Sequence, residues 1–198
     1  TDEQIAQMKA HVSDINYDVA AAREKEVRHD VMAHVYAFGQ QAPAAKPIIH
    51  LGTTSCYVTD NAEVILMREA LELIKGKLLQ VMKKLSAFAL KYKGMPTLGF
   101  THLQPAQLTT VGNRAVLWLQ DLLMDYEDLT AMISGLKLRG VKGTTGTQAS
   151  FMTLFDGDGE KVKALEKIVV EKMGFTSAFA VSGQAYTRKR DYNVLSVL

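Results

Sequence analysis

His102 is the residue of this chain most suited by its surroundings to transfer a proton. It lies in the segment Gly99-Phe-Thr-His-Leu-Gln-Pro105, next to Thr101 and close to Gln104. A long apolar pattern of helical spacing follows at once, so the histidine lies near a helix start and within reach of solvent. In such a setting the pKa of an imidazole can be tuned for proton transfer near neutral pH. A lone histidine is more often structural than catalytic, so both roles stay open here.

A second polar group, Arg28-His-Asp30, belongs to a segment that also contains His34. A spacing of five turns His29 and His34 about 140° apart on a helix, whereas helical zinc pairs use a spacing of four. With one cysteine in the chain, we therefore expect no metal site. His29 is either paired with Asp30, exposed to solvent, or turned toward a substrate with Arg28 attracting its anionic groups.

Three further segments are rich in polar residues. The hydroxyl residues at 53–55 follow a glycine, and they could cap a helix or hold a carboxylate. Segment 140–148 has a glycine at every third residue but lacks the Gly-Lys-Ser/Thr ending of a phosphate-binding P-loop. It could still contact an anion, with Lys142 nearby. Gln184, in a predicted turn that begins at residue 183, is uninformative alone.

Composition excludes several classes of protein. The 198 residues are 47% hydrophobic and 22% charged, which suits one or two globular domains with a substantial core. A net charge of +2 gives no sign of a nucleic-acid partner. No apolar run approaches the roughly 20 residues that span a bilayer, and no signal peptide is recognisable. The single cysteine, Cys56, excludes an internal disulfide and fits a reducing compartment.

Helical periodicity dominates the chain and predicts an all-α fold with short loop or extended segments. Between residues 60 and 93, apolar residues recur at alternating steps of three and four, as in helices packed almost parallel. They cover more than half of the helix, so this helix needs neighbours on several sides, which other subunits could supply. The predicted helices are 3–40 with a break near Ser13-Asp14, 60–93, 109–138, 158–173 and one that begins near Thr187, with 48–59 as a loop or brief extended piece.

Five segments, matching from about residue 20 to the end, together resemble the adenylosuccinate lyase family of the fumarase/aspartase superfamily, and its animal-type members in particular. Thr-His-x-Gln alone marks the superfamily. Pro105-Ala106, Thr109-Thr110 and the Gly-Thr-Thr-Gly-Thr-Gln loop point to the adenylosuccinate enzymes. The segments are Arg28-His-Asp-Val-Met-Ala-His34, His50-Leu-Gly-Thr-Thr-Ser-Cys-Tyr57, Thr97 to Thr110, Arg139 to Phe151 and Gly183-Gln-Ala-Tyr-Thr-Arg-Lys189.

The resemblance implies a long-helix bundle. Residues 1–47 would be the end of an N-terminal helical domain, and 48–198 the first part of the central bundle domain. It also implies a cytoplasmic homotetramer of purine and AMP biosynthesis, each of whose sites is built from three subunits. The substrate would be a small-molecule nucleotide, with no metal, no organic cofactor, no nucleic acid and no membrane involved.

The activity that the resemblance implies is β-elimination of fumarate from adenylosuccinate, giving AMP, and from the succinylated imidazole-carboxamide ribotide (SAICAR), giving the carboxamide ribotide (AICAR). His102 would protonate the leaving nitrogen, and Thr101 would orient the substrate beside it. The other expected substrate contacts are Thr54 and Ser55 at the carboxylate, Arg28, His29 and Asp30 on the nucleotide side, and Gln184.

One part of the family pattern is missing from this sequence. The family's mobile signature loop carries the serine that acts as base, and we expect it beyond Leu198. The chain starts without methionine and stops inside an apolar run, so we expect it to be an internal piece of a longer protein that is inactive alone. Two alternatives are another superfamily lyase, such as argininosuccinate lyase, and a non-catalytic helical oligomerisation module.

Overall fold

The computed structural model describes all 198 residues, which form eight helices and one antiparallel two-stranded sheet. None of the helices is long and apolar enough to span a membrane. The elements are α1 (Asp2–Ala10), α2 (Tyr17–Val27), α3 (Asp30–Gln41), α4 (Ser55–Lys91), β1 (Pro96–Thr101), β2 (Gln104–Thr110), α5 (Val111–Ser134), α6 (Ala149–Leu154), α7 (Gly159–Lys172) and α8 (Lys189–Leu195).

The chain divides into two compact units, and the division falls within α4. The first unit contains Thr1–Val64 and Lys137–Thr187, and the second contains Ile65–Leu136 and Arg188–Leu198. The domain boundary expected between residues 47 and 48 stays a prediction.

Residues 1–41 form three helices, where the sequence predicted two. The break near residues 13 and 14 is confirmed, but a second break at Arg28 was not predicted. Arg28 ends α2 in the left-handed conformation, with φ of 52°, and His29 is the N-cap of α3. Left-handed residues commonly end helices because their N–H can still reach the last turn, and here Arg28 N donates to Glu24 O at 2.7 Å.

The core of the first unit is a hydrophobic cluster around Val141, Phe151 and Val162. Tyr57, from the first turns of α4, packs against this cluster. The prediction of a loop or extended piece over 48–59 was therefore wrong at its end, because α4 begins at Ser55. Burial of Tyr57 outweighs the low helix propensity of the hydroxyl and β-branched residues around it.

The second unit contains most of α4 and all of α5. At 37 residues, α4 is about 55 Å long. Leu71 and Ala89 of α4 and Leu129 of α5 are buried, which fits the predicted helix seams. Many other apolar residues of both helices stay more than two-fifths exposed within this chain; they include Leu66, Leu73, Leu79, Val81, Leu90, Leu117, Trp118 and Met124.

The segment around His102 is a β-hairpin, where the sequence predicted a loop. β1 and β2 pair from Pro96↔Thr110 to Thr101↔Gln104, with an irregularity after Gly99. Local backbone pairing outweighs the loop signals of glycine and proline here, because pairing over six residues of β1 supplies hydrogen bonds that a loop would leave to water.

Candidate active site

The candidate acid, His102, occupies the tip of the hairpin. His102 and Leu103 are the two central residues of the turn, and their φ angles are 51° and 61°. Positive φ at both positions matches the twist of a hairpin, but it usually selects Asn or Gly because a Cβ costs about 1–2 kcal/mol per residue there. Both side chains are exposed, and the His102 imidazole makes no hydrogen bond within the chain. The ring is therefore free to meet a ligand.

Helix α5 anchors the base of the hairpin. Thr110 ends β2 and also caps α5, because its hydroxyl accepts a hydrogen bond of 3.0 Å from Asn113 N. Arg114 of α5 donates to Leu98 O of β1 at 3.0 Å. His102 and Thr101 therefore lie on a short hairpin that these hydrogen bonds attach to α5, all within the second unit.

Arg28, His29 and Asp30 lie at the junction of α2 and α3, and all three are exposed. His29 Nδ1 accepts a hydrogen bond from Met32 N at 3.4 Å and lies 3.4 Å from Asp30 Oδ1. With Nδ1 as the acceptor, the neutral ring carries its proton on Nε2, which leaves a donor on the free edge. His29 is the N-cap of α3 and lies outside the helix itself, and its approach to Asp30, one of the predicted alternatives, becomes an ion pair only when the ring is protonated.

His50 lies close to His29 and belongs with this group, although its type and spacing alone did not predict a role for it. Burial lowers its pKa below the ordinary 6.5, and the neighbouring His29 lowers it further by electrostatic repulsion. A negative charge placed beside the His50 ring would favour its protonated form. The only sequence signal was its place ahead of the Gly-Thr-Thr-Ser segment, 21 residues from His29 with no recognisable spacing.

A cavity of about 460 Å³ lies in the first unit, between α3 and residues 49–59. Asp30, His34 and His50 line it together with apolar side chains such as Val31 and Phe38. No group of three metal-ligating side chains occurs in the chain.

Thr54 and Ser55 lie at the start of α4. Thr54 is buried and Ser55 is half-buried. The loop before them is fixed by Ser150, whose hydroxyl donates to Gly52 O at 2.7 Å. Hydroxyl groups beside the unpaired N–H groups of a helix start form a setting that favours a carboxylate.

Gln184 is exposed and lies in a turn next to the 140–148 loop, also in the first unit. The loop is present as predicted, but Lys142 is not available to an anion. Its ammonium is buried, 2.7 Å from Glu166 Oε1 and 2.9 Å from Phe179 O. Arg139 at the head of the loop is fully buried as well; burial lowers its pKa, while Asp60, Cys56 and Glu166 raise it.

The structure thus groups the predicted residues into two sets. Arg28, His29 and Asp30 lie together near His50, and the first unit also holds Thr54, Ser55 and Gln184. Thr101 and His102 lie in the second unit.

A protein-family model described as "Lyase" matches residues 2–195 of the chain. The chain is a member of that lyase family. Among curated proteins, it is 54% identical to the adenylosuccinate lyase of Schizosaccharomyces pombe and 47% identical to that of Schistosoma mansoni, in both cases over 100% of this chain and 42% of the relative. The resemblance to adenylosuccinate lyases is therefore confirmed, and the chain spans about two-fifths of the length of these relatives.

The fold is also found among solved structures. The 3-carboxy-cis,cis-muconate lactonizing enzyme of Pseudomonas putida superposes with a TM-score of 0.82 at 24% identity, covering 100% of this chain and 44% of that one. At this identity the likeness concerns the fold alone. The predicted all-α fold of long helices is confirmed.

Proposed function

We propose that this chain is part of an adenylosuccinate lyase of purine nucleotide biosynthesis. The reaction would be β-elimination of fumarate from adenylosuccinate, giving AMP, and from SAICAR, giving AICAR. The observation that carries the proposal is the similarity to curated adenylosuccinate lyases along the whole chain. The site described above supplies the kinds of side chain that this chemistry needs.

The elimination has two proton transfers, and this chain supplies the acid. A base removes a proton from the succinyl carbon next to a carboxylate, and the electron pair is delocalised into that carboxylate as an aci-carboxylate. The C–N bond then breaks as the nitrogen leaves with a proton. We assign this proton to His102, because its imidazole is exposed and free of internal hydrogen bonds. The base would be a serine on a loop outside residues 1–198.

Thr54 and Ser55 would stabilise the aci-carboxylate. Donors aimed at the atom where negative charge develops lower the barrier more than donors that bind substrate and transition state equally. The two hydroxyls and the first N–H groups of α4 are suited to this role, since they are fixed in place before the reaction begins.

Arg28, His29 and Asp30 would bind the nucleotide, and we add His50 to this group. Burial lowers the pKa of His50 in the free protein, and an anionic phosphate beside the ring would favour its protonated form. Thr101 would orient the substrate beside His102, and Gln184 would donate or accept a further hydrogen bond.

The proposed assembly is a homotetramer with sites shared between subunits. Arg28, His29, Asp30 and His102 are exposed in the single chain, whereas elimination chemistry needs walls that exclude water. The exposed apolar faces of α4 and α5 are the kind of surface that other subunits cover. The proposed compartment is the cytoplasm, which the lone Cys56 supports, because cytosolic proteins rarely depend on disulfides.

The test follows the loss of adenylosuccinate by ultraviolet absorbance with the full-length parent protein. We expect turnover by the parent and a loss of about 10²–10⁴-fold in His102→Ala, the usual contribution of a general acid. His11→Ala is the matched control, because the hydrogen bond of the His11 ring goes to Asp14, next to the end of α1.

Each other outcome points to a different explanation. Turnover unchanged by His102→Ala would move the acid elsewhere, with His29 tested next. A folded parent without turnover would be tested with argininosuccinate, and inactivity on both would favour a helical oligomerisation module. This chain alone should be inactive, but it should restore activity to a loop-containing partner that lacks its own His102.

A further inference from the structure

Arg139 is buried completely, and its guanidinium bonds only to backbone carbonyl groups. Nη1 donates to Lys142 O at 2.7 Å and Nη2 to Gly143 O at 2.8 Å, both in the 140–148 loop. Nε donates to Gln184 O at 2.6 Å, and Nη2 also reaches Gly183 O at 3.3 Å. One planar cation thus joins two loops through four carbonyl oxygens.

Asp60 holds the other end of the same turn. Its carboxylate, buried on α4, accepts a hydrogen bond of 2.8 Å from Tyr186 N. Residues 183–186 are therefore fixed between a buried cation on their carbonyl groups and a buried anion on an N–H group. Charged hydrogen bonds of this kind are shorter and stronger than neutral ones.

Backbone packing adds a second constraint on the turn. Gly146 has a φ of 79°, and a Cβ at this position would overlap the Ser182 carbonyl oxygen. The 140–148 loop and the turn therefore approach each other backbone to backbone, with no side chain between them.

The side chain of Gln184 has no such support. It is exposed and makes no hydrogen bond of its own within the chain, so only the fixed backbone decides where it points. A buried ion of this type contributes little net stability compared with an apolar replacement, so its value lies in geometry.

We propose that Arg139 is a positioning residue, which fixes the 183–186 turn so that Gln184 is presented to the substrate. The inference rests on the proposed function, in which Gln184 contacts the substrate. Loosening the turn leaves the chemistry at His102 intact and weakens substrate binding. The expected signature is a raised KM with a nearly unchanged kcat.

The test is a double-mutant cycle in the full-length protein with adenylosuccinate as substrate. Arg139→Lys keeps the charge and loses the planar fork of donors, so we expect KM to rise about tenfold. In a Gln184→Ala background, the same substitution should raise KM less than about twofold, because the side chain that it positions is gone. Leu129→Ala, a buried core substitution in the second unit, should lower the melting temperature and leave KM unchanged.

Several results would overturn the inference. Equal KM effects of Arg139→Lys in both backgrounds would show that it does not act through Gln184. A raised KM in Leu129→Ala would assign the effect to general loosening. If Arg139→Lys does not fold, Asp60→Asn removes the anion at the other end of the turn, and its KM effect must also vanish with Gln184→Ala. A parent that does not consume adenylosuccinate would instead contradict the proposed function.

Discussion

The hairpin that carries His102 and the buried network behind Gln184 both position an exposed side chain, but the hairpin is held by local contacts and the network by contacts between residues far apart in sequence. The hairpin is built from 15 consecutive residues, Pro96–Thr101, the two-residue turn and Gln104–Thr110, and its tip is exposed. The network joins residues 79 positions apart, Asn61 and Gly140, and 126 positions apart, Asp60 and Tyr186. The hairpin needs no bond to the imidazole, which stays free to react. The buried network fixes a turn that has no regular secondary structure of its own.

At the hairpin we expect a large change in the rate of reaction without a change in stability. His102→Ala should lower kcat by about 10²–10⁴-fold and leave the melting temperature unchanged, since the exposed ring bonds to nothing in the chain. The absorbance assay measures kcat, and thermal unfolding of the same variant measures the melting temperature. A large fall in melting temperature would mean that the ring is structural.

A substitution in the buried loop region of the first unit should instead lower the stability of the protein. Lys142→Met leaves the half-buried Glu166 carboxylate with only Gln148, whose Nε2 lies 2.7 Å from Oε2. Breaking a buried pair in this way costs about 3–5 kcal/mol, which urea unfolding would measure. Lys163→Met is the matched control; its exposed pair with Glu160 should contribute nothing measurable. Equal losses in the two variants would show that burial does not matter here.

A substitution in the two-residue turn of the hairpin should change the stability by a smaller amount. Leu103 is 98% exposed with φ of 61°, so its side chain gains no packing within the chain and strains the backbone. Leu103→Gly should stabilise the protein by about 1 kcal/mol, whereas Leu103→Ala, which keeps the Cβ, should not. Chemical unfolding of the two variants decides. Loss of stability in both would mean that Leu103 is covered in the assembled protein.

The smallest expected effect is the pH dependence contributed by His50. Its pKa in the folded state lies below the ordinary 6.5 of an unfolded chain, so the contribution of the neutral ring to stability is fully present above that pH. The contribution is lost as the pH falls from 6.5 through the folded-state pKa, because protonation then favours unfolding. His50→Gln should flatten the stability profile as the pH falls below about 6.5. An unchanged slope would assign the titration to another group.

The comparison also explains what the sequence could predict. Helices α4, α5 and α7 follow from periodicity, because each has apolar faces long enough to define a period. The motif around His102 was recognisable because all its parts are adjacent in sequence. Its β-hairpin was not, because glycine and proline signal a turn more strongly than paired strands do.

The first unit was harder to predict where distant residues decide the geometry. The left-handed Arg28 leaves no trace in composition, and His50 approaches His29 only through the fold. Lys142 looked like an anion-binding residue because its partner Glu166 lies 24 positions further along the chain. Periodicity and short motifs do not encode such contacts.

Gly146 has a consequence for reading genetic variation in this protein. Every missense change of a glycine codon adds at least a Cβ, and at position 146 that atom meets the Ser182 carbonyl whatever the rest of the side chain is. Gly76, on the exposed surface of α4, has nothing within 4 Å of the same atom. The same nucleotide change in two glycine codons should therefore be harmful in one and tolerated in the other.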